Sequence, residues 1–117
     1  MSKAYELGLY EKAMPGTLTW KERLEAAKAA GYDYVEISID ATEEKIARLD
    51  MDRESRLELV KTMYETGIPI RTMCVSALTK YAIGSSDEAC CARGMAILEK
   101  SLQLADDLGI RVVMIPG

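Results

Sequence analysis

The sequence predicts a parallel α/β fold of four strands, (βα)3β, with its helices on the outer face, which is half of a closed eight-stranded barrel. Three observations carry this. Three times an amphipathic segment closes on a glycine and runs into an apolar strand: Gly31 before Tyr34, Val35, Glu36 and Ile37, Gly67 before Ile68 and Ile70, and Gly109 before Ile110, Val112, Val113 and Ile115. Glycine takes the left-handed conformation that ends a helix and that side chains resist, so the recurrence marks a tandem unit. Strand-helix alternation in turn predicts a parallel sheet covered by helices. The third observation is length. A complete barrel needs roughly 250 residues, and 117 residues are expected to form a single truncated barrel domain over 1–117.

Each element follows from local chemistry. The first strand is expected over residues 6–10, followed by a loop through Pro15 and Gly16, a strong turn signal. Thr19 and Glu22 have capping-box spacing for a helix over 20–30, with Trp20, Leu24, Ala27 and Gly31 on its inward face. The second strand runs from Tyr34 to Ile39 and Asp40, and residues 41–49 read as a short extra helix. Asp52 is placed to cap the next principal helix, whose apolar positions are Leu57, Val60 and Tyr64, backed by Met63. A third strand over 70–75 leads into a loop over 76–84. Ser85 and Glu88 repeat the capping-box pattern, and Cys91, Met95, Leu98, Leu102 and Ala105 form the expected inward stripe of the last helix. A fourth strand covers 110–115.

Composition excludes several classes. A net charge of -4 argues against a nucleic-acid partner, because neutralising a phosphate backbone takes a surplus of Lys and Arg on one face. No apolar run approaches the roughly 18 residues of a membrane span and the N-terminus lacks a signal-peptide core, so the expectation is a cytoplasmic protein with no membrane partner. Three cysteines, two of them adjacent, make neither a disulfide framework nor a zinc site and read as small helix residues in a reducing compartment. The chain has no histidine, which removes imidazole acid-base chemistry and histidine-activated nucleophiles from what it does alone. No glycine-rich dinucleotide fingerprint or phosphate loop follows a strand, which favours a barrel over an open nucleotide-binding sheet.

In parallel α/β folds the loops beyond the strand C-termini hold the functional groups. Glu11, Lys12, Asp40 and Lys80 are placed there. Glu11 and Lys12 offer opposite charges suited to a hydroxylated anionic substrate, although adjacent residues point apart. Glu36 and Ser38 alternate with Val35, Ile37 and Ile39, so both face the barrel lumen. There Glu36 meets either a structural partner or a ligand. Lys80, with Ser85 and Ser86 at a helix start, is placed to meet a phosphate.

The strings Leu7-Gly8-Leu9-Tyr10-Glu11-Lys12-Ala13-Met14-Pro15, Glu36-Ile37-Ser38-Ile39-Asp40, Arg48-Leu49-Asp50 and Met73-Cys74-Val75-Ser76-Ala77, taken together, resemble the N-terminal half of the L-ribulose-5-phosphate and L-xylulose-5-phosphate 3-epimerases, also described as hexulose-6-phosphate isomerases, in the xylose-isomerase-like TIM barrel superfamily. The resemblance runs through essentially the whole chain. It implies a fold in which a divalent metal, held by carboxylates and a histidine, polarises the carbonyl system while a glutamate pair exchanges the proton at C3. Those groups lie on the family's later strands, so the resemblance implies no catalytic residue and no metal ligand here, a metal only in a full-length homologue, and no activity for the chain alone. Glu11, Lys12, Glu36, Ser38, Asp40 and Ser76 carry over as substrate-pocket or supporting groups. Leu78 and Thr79 stand where the family usually has histidine and arginine. The alternative is a non-catalytic half-barrel that persists as a homo-oligomer and binds a sugar phosphate or a protein partner. Two open edges, with Leu7, Leu9, Val113 and Ile115 as apolar lumen residues, lead to the expectation of association.

Overall fold

The computed structural model describes residues 5–116. Four parallel strands, β1 (Gly8–Tyr10), β2 (Tyr34–Ser38), β3 (Ile70–Cys74) and β4 (Val112–Met114), lie in the order β1-β2-β3-β4. A doubly wound sheet reverses direction at a switch point; a barrel adds each strand beside the last. The observed order is the barrel's.

The connecting helices are α1 (Trp20–Ala29), α2 (Glu43–Ile46), α3 (Arg53–Thr66), α4 (Ala77–Lys80) and α5 (Glu88–Leu108). Single turns of 3-10 helix follow β1, over Glu11–Ala13, and α2, over Ala47–Asp50. The Thr19 hydroxyl accepts the Glu22 amide while the Glu22 carboxylate accepts the Thr19 amide, which completes the capping box of α1. Asp52 caps α3 by accepting the Ser55 amide at 2.7 Å. Gly31, Gly67 and Gly109 have φ of 87°, 77° and 73°, the left-handed conformation that the repeat predicted.

Four expectations are corrected. The α5 cap is Asp87, whose carboxylate accepts the Ala89 and Cys90 amides; Ser85 instead accepts the Asp87 amide, one step outside the helix. The inward stripe of α5 is Gly94, Ile97, Ser101, Leu104, Ala105 and Leu108, while Met95 and Leu102 are exposed. Two of the inward positions are a glycine and a serine, so the hydrophobic count favours the neighbouring, wrong phase. On α3, Leu57 and Tyr64 are exposed and Leu59, Met63 and Thr66 are buried. Gly31, counted on the inward face of α1, is exposed beyond its end, and Arg23 is buried there instead.

The core lies between the sheet and the helices. Val35, Ile37 and Met73 of the strands and Ile39 and Val75 just beyond them are fully buried, against Leu24 and Ala27 of α1, Leu59 and Met63 of α3, and Ile97 and Leu104 of α5. Each large aliphatic side chain so placed contributes about 1.5–3 kcal/mol. Leu9 and Val113 also pack against this core, contrary to the expectation that they face the lumen. The apolar side chains left exposed at the edges are Leu7, Val112, Met114 and Ile115.

One irregularity sets the inner face. Val35 pairs with Ile70 but Glu36 pairs with Thr72, so Arg71 is an extra residue in β3. Ile70 and Met73 therefore both turn to the helices, with Thr72 and Cys74 on the other face. Such a bulge re-aims side chains without breaking the ladder.

Candidate functional site

The face of the sheet turned away from the helices carries Tyr10, Glu36, Ser38, Thr72 and Cys74, all set by strand alternation. Four of them are joined in pairs across strands. The Tyr10 hydroxyl donates to Ser38 Oγ at 3.1 Å, and the Thr72 hydroxyl donates to Glu36 Oε1 at 3.0 Å. Glu36 thus has a structural partner and stays half-exposed. Burial raises the Tyr10 phenol above its ordinary value, the Ser38 contact lowers it, and the nearby Cys74 adds to the rise. Ser38 is fully buried, so this wall presents the neutral Tyr10 and Thr72 hydroxyls and the Glu36 carboxylate.

Lys12 and Asp40 stand at the C-terminal end of β1 and β2, with Nζ 2.9 Å from Oδ2. The Asp40 carboxylate also accepts the Thr42 hydroxyl at 2.6 Å and the Thr42 amide at 3.0 Å. Burial alone would raise this carboxyl, but the Lys12 ammonium and the two Thr42 donors outweigh it and hold it at about 2. The Asp40 hydrogen bond in turn raises Lys12. Lys12 keeps 44% of its side-chain surface open, so the ammonium is reachable by an anion.

Glu11 points the other way from Lys12. Its carboxylate is buried and accepts the Ser38 amide at 2.6 Å; Arg48 meets it through both terminal nitrogens, Lys45 lies at 3.3 Å and Arg23 Nε at 3.7 Å. Arg48 also donates to the Ser38 carbonyl at 3.0 Å, so Glu11 and Arg48 fix both backbone groups of Ser38. Arg23 and Arg48 lie 4.9 Å and 5.0 Å from the Trp20 ring centroid, where its π face attracts the surplus positive charge. Burial raises the Glu11 carboxyl, and Arg48, the Ser38 amide and Lys45 together pull it below the ordinary value. Glu11 is a supporting group beneath the wall.

Ser76 and Lys80 belong to a different part of the rim. Ser76 begins α4 and its side chain makes no capping bond, while Lys80, exposed at the other end, lies over the Tyr81 ring at 5.3 Å. The α5 start that Lys80 was to share with Ser85 and Ser86 has its Ala89 and Cys90 amides taken by Asp87. Leu78 is buried, which explains an apolar residue there as core.

Sequence reasoning singled out neither Tyr10, Arg23, Lys45, Arg48, Thr72 nor Cys74 for the site. Alternation from Glu36 and Ser38 reaches Tyr10 by pairing, but the bulge hides Thr72 and Cys74. The Glu11 cluster joins residues 37 positions apart and leaves no local pattern. Metal ligation does not fit this wall. Glu36 is bonded to Thr72, Asp40 to Lys12 and Thr42, and Glu11 to three cations, and among the described residues no three His, Cys, Asp or Glu side chains converge as a metal-binding group.

Comparison with known proteins places these features. Residues 24–117 match the family described as xylose isomerase-like TIM barrel. The chain is 47% identical over 117 residues to the L-ribulose-5-phosphate 3-epimerase UlaE of Escherichia coli O139:H28, covering all of this chain and 41% of that protein. The protein of the same name from Shigella boydii serotype 18 matches equally, at 47%. The chain thus spans about two fifths of the length of these curated relatives. Among solved structures, a D-psicose 3-epimerase determined with D-fructose superposes with a TM-score of 0.75 at 18% identity, covering 95% of this chain and 37% of that one. The D-allulose 3-epimerase of Methylomonas sp. in complex with D-allulose gives 0.69 at 23%, covering 94% and 36%. At such identities the superpositions establish the fold. Among the described residues no helix is long and apolar enough to cross a membrane.

Proposed function

The chain belongs to the xylose isomerase-like TIM barrel family, and from that premise we propose that it forms the N-terminal half of a sugar-phosphate isomerase or epimerase of the pentulose-5-phosphate 3-epimerase or hexulose-6-phosphate isomerase type. The observation that carries the reading is the continuous polar wall of Tyr10, Glu36, Ser38 and Thr72 on the face that a barrel encloses, with the open Lys12 ammonium at its upper end. Hydroxyls and a carboxylate along a strand face match the hydroxyls of a sugar, and an ammonium at the rim matches a phosphate. The 47% identity of the whole chain to two fifths of the L-ribulose-5-phosphate 3-epimerase supports the same substrate class.

In this reading the chain binds and orients; it does not move the proton. Glu36 accepts a sugar hydroxyl, the Tyr10 and Ser38 pair offers a second hydrogen-bonding point, and Lys12 holds the anion. Epimerisation at a carbon needs a positioned base and a group that stabilises the enediolate, and neither is assigned to residues of this chain. The isolated chain is inactive. A divalent metal belongs to the full barrel of a homologue, on strands outside this chain.

The test joins residues 1–117 to the C-terminal remainder of an L-ribulose-5-phosphate 3-epimerase. The chimera is expected to fold cooperatively and to epimerise a pentulose 5-phosphate in preference to the unphosphorylated sugar. A folded chimera without turnover, or metal-dependent turnover by the rigorously purified isolated chain, overturns the reading.

A second reading, a half-barrel that persists as a homo-oligomer and binds a sugar phosphate or a protein partner without catalysis, is favoured by the edges. Leu7, Val112, Met114 and Ile115 are 42%, 50%, 51% and 48% exposed along β1 and β4 and just beyond them. Strand four of one copy beside strand one of another completes eight strands and covers these side chains. Light scattering at micromolar concentration decides: a soluble monomer rules this reading out.

A further inference from the structure

Cys90 and Cys91 lie in the first turn of α5, and their thiols donate back to the last residue of α4 and to the segment that joins α4 to α5. Cys90 Sγ is 3.5 Å from the Lys80 carbonyl oxygen, and Cys91 Sγ is 2.8 Å from that of Ile83. Both cysteines are free and half-exposed. Elsewhere the segment is held by the Tyr81 amide donating to the Ala77 carbonyl of α4, by the Ser85 amide donating to Ala82 within the turn, by Tyr81 and Ile83 packing against the core, and by Arg93, which lies 4.5 Å from the Tyr81 ring centroid. Among the described residues, the two S–H donors make the hydrogen bonds that tie Lys80 and Ile83 to α5.

We propose that Cys90 and Cys91 form a reversible redox modification site, at which exchange with a low-molecular-weight disulfide frees residues 81–87 from α5 and opens the rim that carries Lys80. One thiolate attacks a sulfur of the disulfide RSSR, forming a protein mixed disulfide and expelling a thiolate that takes up the proton. The neighbouring thiolate then attacks the protein sulfur of that mixed disulfide, closes the Cys90–Cys91 bond and expels the second thiolate. Two protein thiols are oxidised, and RSSR is reduced to two RSH.

Either product removes the donors. Closure goes further, because adjacent Cα atoms are about 3.8 Å apart, whereas disulfides usually span about 4.4–6.8 Å. A vicinal disulfide thus distorts the first turn of α5, where Asp87 caps the Ala89 and Cys90 amides, and the stored strain makes it easy to reduce. Reversibility and local opening come from the same geometry. The inference stands apart from the sugar-phosphate reading, since neither the thiols nor the segment needs a substrate.

Brief trypsin digestion of the chain before and after treatment with oxidised glutathione tests it, because Lys80 itself is the reporter. Cleavage of the Lys80–Tyr81 bond is expected to rise roughly threefold to tenfold on oxidation as the open form becomes more populated, while cleavage after Lys61 in α3 stays constant. Dithiothreitol restores the slow rate, and peptide mapping finds the modification on Cys90 or Cys91. The Cys91→Ala variant cleaves fast without oxidant, and the Cys90→Ser, Cys91→Ser double variant does not respond to it. An oxidised chain that cleaves at the reduced rate, a double variant that still responds, or modification confined to Cys74 overturns the proposal.

Discussion

Glu11 Oε1 accepts the amide of Ser38 at 2.6 Å, so the first residue after β1 holds the last residue of β2, 27 positions away. The bond is buried, and the same carboxylate is the one anion among Arg23, Lys45 and Arg48. Removing it leaves three cations facing one another in a space with little water.

Glu11→Gln is therefore expected to destabilise the fold by about 3–5 kcal/mol, the cost of breaking a buried ion pair by deleting one partner. Urea denaturation of the variant beside the parent checks this. A change under about 1 kcal/mol, the scale of a surface pair, means that the cations find solvent and the cluster does not organise the strand ends.

Gly94 gives a prediction of sign. Alanine in place of an interior helical glycine ordinarily stabilises by about 1 kcal/mol, but a Cβ at this position would stand 2.2 Å from the Tyr81 carbonyl oxygen. That oxygen belongs to backbone and has little freedom to retreat. Gly94→Ala is expected to destabilise by about 1–3 kcal/mol, and thermal unfolding gives the sign directly.

Ser101 predicts the reverse. Its hydroxyl is fully buried on the inward face of α5 and has no hydrogen-bond partner. A buried donor without an acceptor costs about 1–3 kcal/mol, and alanine is the better helix former. Ser101→Ala is expected to stabilise by about 1 kcal/mol in urea titration, net of the small void it leaves; a loss of stability would show that the hydroxyl has a partner in solution.

The Lys12–Asp40 pair sets an acid limb. The Asp40 carboxyl lies at about 2 in the folded chain, below its ordinary 3.8, so its contribution is fully present above the ordinary value and is lost as pH falls toward 2. Lys12 is raised, so its share persists through neutral pH and disappears only as pH rises through its elevated value. Stability followed from pH 6 to pH 2 should fall less steeply in Asp40→Asn than in the parent. Parallel curves would show that the pair is not coupled to folding.

In the chimera described above, Glu36→Gln is expected to lower kcat/KM by about tenfold to a hundredfold, the weight of a hydrogen bond to a charged acceptor, while stability changes little because Thr72 can still donate to the amide oxygen. Unchanged activity together with unchanged stability would remove Glu36 from the substrate wall.

The sequence was most legible where chemistry is local. The glycine caps at Gly67 and Gly109, the Thr19 box and the Asp52 cap are each set within a few residues, and all stand as read. Helix phase was less legible: on α5 the buried face includes Gly94 and Ser101, so small size and packing replace hydrophobicity as the signal. The site divided along the same line. Alternation correctly placed Glu36 and Ser38 on one face, and adjacency correctly sent Glu11 and Lys12 apart. The cations that surround Glu11 come from the α1 and α2 regions, a meeting that only the folded chain makes.

The extra residue in β3 separates two requirements that a regular strand would bind together. Gly67 and Ile68 must bring the chain out of α3 with Ile70 turned inward to the helices, and four residues later Cys74 must stand beside Tyr10. In an uninterrupted strand, residues 70 and 74 share a face; one of these demands would then fail. Arg71 absorbs the odd count, and its side chain is set to use at the lower end, over the Tyr34 ring and paired with Glu6. Helix exit and polar wall are thereby free to change independently, so substitutions that reshape the upper wall need not be answered by changes in the turn that closes α3.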